Sequence, residues 1–242
     1  KLQLSLADKT YKMNAKVVFI FTLVVVAVCS QAAESIPVKA LQLAFGNDTT
    51  TEMTVSWHTA TMGEQYTPMV LFGTTSGQYD YRVVGGETVT YNTTAGFSHH
   101  VFLKGLKPAT LYYYICGSTS YEFSKEFTFK TAPAVPTGKM EVIIYGDLGT
   151  QICQGFATNC TYHSYVIDRV QDRIMKNLQT GNELHQFVLH VGDIGYADVS
   201  SKMNPPQDYE YIWNRWGAEI EGIAARTGYM VCPGNHEYNR VP

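Results

Sequence analysis

Three short segments place an oxygen-bearing side chain directly after an apolar run that ends at a glycine. The side chains are those of Asp147, Asp193 and Asn235, and Tyr196 lies three residues after the second. Apolar runs of this kind indicate buried strands, and the carboxyl ends of parallel strands build the site of an open α/β sheet. Carboxylate, amide and phenolate oxygens suit hard cations such as iron or manganese. The sequence therefore predicts a metal site.

The second half of the chain, residues 140–242, alternates between strand and helix patterns. Apolar runs predict strands at residues 141–145, 187–191 and 229–231. Apolar residues spaced along one helical face predict helices at 165–175 and 209–225. Alternation of this type gives a mainly parallel sheet with helices on its faces. We therefore expect an α/β domain over this half.

The first half, residues 36–131, reads as all-β. Short strands such as Met53–Trp57 alternate apolar and polar residues and are separated by Gly, Pro, Asn and Thr turns, which indicates a sandwich or a barrel. Trp57 is expected in the core, and Leu106–Tyr113 resembles the tyrosine corner of fibronectin type III domains. Residues 132–139, with two prolines and a glycine, read as a linker. We therefore predict a fibronectin type III-like sandwich, followed by the α/β domain.

The three motifs, taken in order, resemble those of the calcineurin-like metallophosphoesterases. That family carries the blocks D-x-G, G-D-x-x-Y and G-N-H-D/E, which Asp147–Gly149, Gly192–Tyr196 and Gly234–Glu237 match. General members have a histidine at the position of Gly149. Its absence, together with Tyr196, is similar to the purple acid phosphatases, and the sandwich-then-α/β order resembles their large, plant-type two-domain form.

This resemblance implies an acid phosphatase with an Fe(III) ion and a divalent metal, Fe, Zn or Mn. Asp147 and Tyr196 would bind the ferric ion, Asp193 would bridge the two metals, and Asn235 would help to bind the divalent one. A metal-bound hydroxide would attack a small phosphate monoester. His236 would lie beside the phosphate, as a hydrogen-bond donor or as the acid for the leaving oxygen. The alternative for His236 is a residue that orients the loop.

The two later blocks of the family, V-x-x-H and G-H-x-H, do not follow Glu237. We therefore expect the chain to be the N-terminal part of a longer enzyme, with an incomplete α/β domain. Metal affinity depends on the number of ligands and on a preformed geometry. The chain alone is accordingly expected to be inactive, whereas the full-length protein would be active and could form a homodimer.

Two other functions stay open on the sequence. The first is a secreted metallophosphoesterase that acts on phosphodiesters, nucleotides or inositol phosphates. The second is a non-catalytic secreted glycoprotein that binds a partner through its β-sandwich. The intact Asp147, Asp193, Tyr196 and Asn235 argue against the second function.

The N-terminal residues indicate export. Residues 1–12 precede the first methionine and read as leader translated from upstream of the true start. Residues 13–33 have a basic start, a short apolar core and small residues near a cleavage point, which is typical of a signal peptide. The apolar run over residues 17–28 is too short for a stable membrane span. We therefore expect a secreted, lysosomal or vacuolar protein.

Cysteines and glycosylation acceptors agree with export. Four cysteines lie outside the signal and allow three pairings, of which Cys153 with Cys160 is our preferred one. The acceptor motifs begin at Asn47, Asn92 and Asn159. The net charge of -3, from 18 basic and 21 acidic residues, gives no electrostatic footprint for nucleic acid. A small anionic substrate would have to be held by a local site.

Overall fold

The computed structural model describes residues 36–135, 140–150, 161–179, 185–202 and 208–238. Its strands are β1 Lys39–Phe45, β2 Met53–Thr59, β3 Met69–Gly73, β4 Tyr81–Val84, β5 Glu87–Val89, β6 Phe97–Leu103, β7 Leu111–Gly117, β8 Phe127–Lys130, β9 Met140–Tyr145, β10 His185–Val191 and β11 Gly228–Cys232. Its helices are α1 Thr161–Gln179, a 3-10 helix Ala197–Lys202, α2 Tyr209–Ala224 and α3 Asn235–Tyr238. The predicted leader and signal peptide, the Cys153–Cys160 pair and Asn159 lie outside the described residues.

The first half is a β-sandwich, as predicted. Strands β4, β3, β7 and β8 form one sheet, and β5, β6, β2 and β1 form part of the other. Along β2 every second side chain is buried, and Trp57 is only 2% exposed, because a strand alternates its side chains between the core and the outer face. The hydroxyl of Tyr112 accepts a hydrogen bond of 2.8 Å from the Lys107 amide. The predicted tyrosine corner is therefore present.

Strand β1 was not predicted, and it joins the two halves. Its residues include Ala, Leu and Gln, which favour helix when they are considered alone. In the fold its Leu41 and Leu43 are fully buried in the sandwich core. One edge of β1 pairs antiparallel with β2, and Leu43 lies opposite Gly228 of β11 in a parallel pair. The resulting seven-stranded sheet has the order β5-β6-β2-β1-β11-β10-β9.

The second half is α/β, as predicted. Strands β9, β10 and β11 are all parallel, with β10 in the centre. A second core forms between these strands and the two long helices; it includes Ile174 of α1, Val188 of β10 and Ile220 of α2. Full burial of each such side chain contributes about 1.5–3 kcal/mol. Helix α2 begins after Asp208, whose carboxylate accepts a 3.0 Å hydrogen bond from the Glu210 amide.

Two further observations bear on the predictions. Within the described residues, Cys116 is a buried free thiol and Cys232 an exposed one. None of the described helices is long and apolar enough to cross a bilayer.

Candidate metal centre

The loops that follow β9, β10 and β11 meet at one edge of the parallel sheet. The Asp147 amide donates to the Gly192 carbonyl at 3.2 Å, and the Gly149 amide donates to the Ile194 carbonyl at 3.0 Å. These two bonds tie the loop after β9 to the loop after β10. The carboxylates of Asp147 and Asp193 therefore leave the sheet side by side.

The glycines of the second and third motifs let their loops come into contact. A methyl group added at Gly192 would lie 2.9 Å from the Cα atom of Gly234. One added at Gly234 would collide with the Asp193 carboxylate. Gly192 also has a φ of +85°, in the region that favours glycine. These two residues therefore set the distance between the loops after β10 and β11.

Three of the predicted ligands have a left-handed backbone. The φ angles are 54° at Asp147, 50° at Asp193 and 56° at Tyr196. Residues other than glycine rarely adopt this conformation. Such strain costs on the order of 1–3 kcal/mol per residue and clusters at functional sites, where the surrounding fold enforces it. Its presence at three donors in one place indicates that the fold enforces their arrangement.

The structure brings three of the four predicted ligands together. The Tyr196 hydroxyl donates to Asp147 Oδ1 at 2.8 Å and lies 3.5 Å from Asp193 Oδ2. Asn235 is the first residue of α3, directly after Gly234, and its side chain is exposed. It is therefore next to the site, but among the described residues no hydrogen bond links its amide to the other three donors.

His236 lies against this group and is oriented by Asp198. Its ring centroid is 4.2 Å from that of Tyr196, and its amide donates to Asp193 Oδ1 at 3.1 Å. Its Nδ1 lies 2.9 and 3.0 Å from the two carboxylate oxygens of Asp198. Because Asp198 occupies Nδ1, the other ring nitrogen, Nε2, is the one left for a substrate.

Asp198 is the site residue that the sequence alone did not identify. Its position in the first turn of the 3-10 helix agrees with a turn or capping role, and its only further signal is an acidic side chain two residues after Tyr196. Glu237 supports the loops of the site. It accepts hydrogen bonds of 2.8 Å from the amides of Ile194 and Gly234.

A buried hydrogen-bonded chain lies under the site. Tyr145 donates to the Tyr229 hydroxyl at 2.9 Å, and that hydroxyl lies 2.9 Å from His190 Nδ1. Burial lowers the pKa of His190 to about 4, although the Glu237 and Asp147 carboxylates oppose the shift. His190 is therefore neutral, accepts from Tyr229, and connects the three parallel strands just below the donors.

The donor set fits a hard cation. Asp147, Asp193 and Tyr196 offer only oxygen, the ligand type that such cations prefer. Burial and the neighbouring carboxylates of Asp147 and Asp193 raise the pKa of the Tyr196 hydroxyl well above its usual range. A bound cation would offset the negative charge of these carboxylates. Within the described ranges no three His, Cys, Asp or Glu side chains form a metal-binding cluster.

Comparison with known proteins identifies the family. Residues 38–131 match the family model described as "Purple acid Phosphatase, N-terminal domain". Over 233 residues the chain is 29% identical to purple acid phosphatase 23 of Arabidopsis thaliana. The purple acid phosphatase from yellow lupin (Lupinus luteus) seeds has the same fold over 84% of this chain and 36% of its own, with a TM-score of 0.61 and 25% identity. The chain belongs to the purple acid phosphatase family.

The chain spans about half, or less, of its purple acid phosphatase relatives. The match to the Arabidopsis protein above covers 81% of the chain and 47% of that relative. Acid phosphatase A of Cryphonectria parasitica is 30% identical over 76% of the chain and 38% of its own length. A third relative is named "Probable inactive purple acid phosphatase 1" of Arabidopsis thaliana, with 29% identity over 77% of the chain and 31% of the relative. The predicted family and fold are confirmed.

Proposed function

We propose that the natural protein is an acid phosphatase that hydrolyses phosphate monoesters with a dinuclear Fe(III)–M(II) centre. Asp147 and Tyr196 are the proposed ferric ligands, Asp193 the proposed bridge, and Asn235 a proposed ligand of the divalent ion. Acid phosphatase relatives support the general activity. The identity of the metals and the substrate class are our inference from the resemblance to the family, together with the oxygen donors present.

One observation carries the proposal. The Tyr196 hydroxyl contacts carboxylates from two different strand ends, at 2.8 Å and 3.5 Å. A tyrosine that only stabilised the fold would need a single partner. Here one phenol oxygen lies between Asp147 and Asp193 on strained backbone, as expected for ligands that converge on one cation. Bound metals would supply positive charge for the phosphate oxygens and lower the pKa of a water molecule.

His236 is proposed to bind the phosphate or to donate a proton to the leaving oxygen. Its Nδ1 is held by Asp198, so the ring is fixed and Nε2 is left for the substrate. The Asp198 side chain is 9% exposed and that of His236 23%, so this hydrogen bond is partly shielded from water and the ring keeps some access to solvent. A positioned donor of this type contributes about 10²–10⁴-fold to a proton-transfer step.

We expect the chain by itself to have little activity. Four proposed oxygen ligands are few for two cations, and metal affinity depends on ligand number and preformed geometry. Export and glycosylation also remain part of the proposal. Asn47 and Asn92 are exposed, which the attachment of a glycan requires.

A non-catalytic role is the second candidate, favoured by relatives that are named probable inactive purple acid phosphatases. Such a protein would keep the fold without turnover. The donors Asp147, Asp193 and Tyr196 are present here and in contact, so we favour the enzyme. The two candidates predict opposite results in a phosphatase assay of the full-length protein: turnover for the enzyme and none for the non-catalytic protein.

The test is an assay of the full-length natural protein at acidic pH with a chromogenic phosphate monoester and, separately, a phosphodiester. We expect the monoester to be preferred. Asp193→Asn should lower kcat/KM by at least about 100-fold, because it removes one negative charge from the proposed bridge between two cations. Metal content, measured on the same samples, should fall with it.

Asp168→Asn is the matched control, since it makes the same chemical change on an exposed position of helix α1 and should leave kcat/KM unchanged. Equal activity of Asp193→Asn and the wild type would refute the metal centre. An inactive but folded wild type would support the non-catalytic candidate. A preference for the diester would replace the monoester part of the proposal.

A further inference from the structure

A second concave site lies between the sandwich and helix α2, away from the proposed metal ligands. It is a cavity of about 610 Å³. Helix α2 lies close to the sheet at Gly217, where an added methyl group would lie 2.7 Å from the Ala40 Cβ atom. Both residues line the cavity. Volumes of roughly 300–1,000 Å³ are typical of sites for small ligands.

The walls of the cavity come from regular elements. On one side are Tyr209, Trp213 and Gly217 of helix α2, which are spaced by four residues and so share one helical face. On the other side is a cross-strand row on the outer face of the sheet, in which Ser98 lies opposite both His58 and Val89. Because helix and sheet fix these positions, the cavity does not depend on one flexible loop.

The lining of the cavity combines aromatic rings with side chains that can form hydrogen bonds. The lining includes the aromatic rings of Trp213 and Tyr91 and the side-chain amides of Gln42 and Asn214. In the described part of the chain neither amide is used in a hydrogen bond, so each keeps its donor and acceptor capacity. The Tyr91 hydroxyl donates to the carboxylate of Glu210, which also lines the cavity.

The charge of the lining excludes a phosphate ligand. Glu210 is the acidic group, and none of the described residues that line the cavity is a lysine or an arginine. An anion would meet this carboxylate, and the histidine of the lining, His58, offers little compensating charge because burial lowers its pKa. A neutral ligand that presents both C–H groups and hydroxyls matches this lining, because C–H groups pack on aromatic faces and hydroxyls bond to amides and carboxylates. Sugar rings have this composition.

A loop that contributes to the lining of the cavity also carries a glycosylation acceptor. The loop between β5 and β6 supplies Thr90, Tyr91 and Ala95 to the lining, and Asn92 of the same loop is exposed. Its Oδ1 accepts hydrogen bonds from the amide and hydroxyl of Thr94 at 3.1 and 2.9 Å. A glycan would be attached to the Nδ2 atom, one residue along the chain from Tyr91 of the lining.

We propose that this cavity binds a neutral sugar residue between Trp213 and the outer face of the sandwich sheet. The sugar comes either from a glycan attached to Asn92 or from a free saccharide, and the two sources use the same lining. This inference is independent of the proposed phosphatase activity.

The experiment measures binding of N-acetylglucosamine, mannose and methyl β-glucoside to the full-length protein by saturation-transfer NMR and by fluorescence titration. The protein is prepared without glycans and, in parallel, with glycans from a secretory host. We expect at least one sugar to bind to the glycan-free protein. Gln42→Leu and Asn214→Ala should each weaken its Kd by about tenfold, because each removes a hydrogen bond to the sugar. Asn47→Ala, outside the cavity, is the control.

The glycan-bearing protein separates the two sources. If the glycan of Asn92 fills the cavity, free sugar should bind only after deglycosylation or in Asn92→Gln. If the ligand is a free saccharide, both preparations should bind it. Failure of every sugar to bind the glycan-free protein would overturn the proposal. Sugar binding that neither Gln42→Leu nor Asn214→Ala changes would also overturn it. The same holds if benzylammonium, an aromatic cation that could pair with Glu210, binds and the sugars do not.

Discussion

Single residues with no direct role in chemistry hold the candidate centre in place. Asp198 fixes the His236 ring, and Glu237 bonds the amides of Ile194 and Gly234. That Asp147, Asp193 and Tyr196 come together could be predicted, because each follows an apolar run that forms a strand of the parallel sheet. The partner of His236 could not, because a hydrogen bond over 38 residues of sequence leaves no local pattern.

His99 of the sandwich, like His190, is kept neutral by burial. His99 is fully buried, and its two ring nitrogens lie 2.9 Å from the hydroxyls of Thr59 and Thr88. Burial, with smaller contributions from His58 and His100, lowers its pKa to about 4. Both hydrogen-bond partners are neutral hydroxyls, so they favour no charged form of the ring. A protein proposed to work at acidic pH would therefore keep this interior position uncharged down to about that pH.

At this scale we predict that acid destabilises the fold partly through His99. Its pKa is lower in the folded protein than the ordinary value of 6.5, so the unfolded chain takes up the proton first. The stability due to the neutral ring is complete above pH 6.5 and is lost as the pH falls toward 4. Urea unfolding at pH 6.5 and about 4.5 should show a fall in the free energy of unfolding that His99→Gln reduces by about 2 kcal/mol.

The control is Thr54→Ser on the neighbouring strand β2, since it removes no titratable group and Thr54 lies opposite Phe102, away from the His99 ring. It should keep the pH dependence of the wild type. Identical pH dependences for His99→Gln and the wild type would show that another group is responsible, with His190 as the next candidate because its pKa is also lowered to about 4.

The strands and helices that carry a clear hydrophobic period were predictable. Strand β2, the parallel strand β10 and helix α2 are found where their patterns indicate. Strand β1 was missed because its Ala, Leu and Gln residues favour helix, and only its long-range pairing with β2 and β11 makes it a strand. The path of Pro233 and Gly234, which connect β11 to α3 and bring α3 to Asp193, was also not predictable. That path depends on the close approach of Gly192, after β10, to Gly234, after β11.

At the level of elements we predict that the loops after β10 and β11 tolerate no side chain at Gly192. Gly192→Ala would add strain at a φ of +85° and a collision with Gly234. Gly77→Ala is the control for the strain alone, since Gly77 has a φ of +72° and nothing within 4 Å of an added methyl group. We expect the control to lose about 1 kcal/mol of stability, and Gly192→Ala to lose about 1–3 kcal/mol more.

Chemical unfolding of both variants gives these values, and a phosphatase assay of the full-length protein shows whether the centre is also affected. Activity should fall for Gly192→Ala and not for Gly77→Ala, because only the first change separates the loops that carry Asp193 and Asn235. Equal stability losses in the two variants would mean that the loop contact at Gly192 is not tight.

Considered as a whole, the molecule has contacts that cross the proposed boundary at residues 132–139. Strand β1 of the sandwich pairs with β11 of the α/β half. The Tyr114 hydroxyl donates to the Ala225 carbonyl at 2.7 Å, and Ala225 is fully buried in the sandwich core. Glu221 of helix α2 also accepts a hydrogen bond from the Leu41 amide at 3.4 Å. Shared sheet and shared core favour a single cooperative unit over two independent domains.

We therefore predict that a change confined to the sandwich destabilises the α/β half as well. Tyr112→Phe removes the hydrogen bond to the Lys107 amide, which costs about 1 kcal/mol. Hydrogen exchange should show this same loss of opening free energy in β2 and in β10, because one unit opens as a whole. Tyr113→Phe, on the opposite face of β7, should change neither strand. Loss of protection in β2 alone would mean that the halves unfold separately, with the β1–β11 pair breaking first.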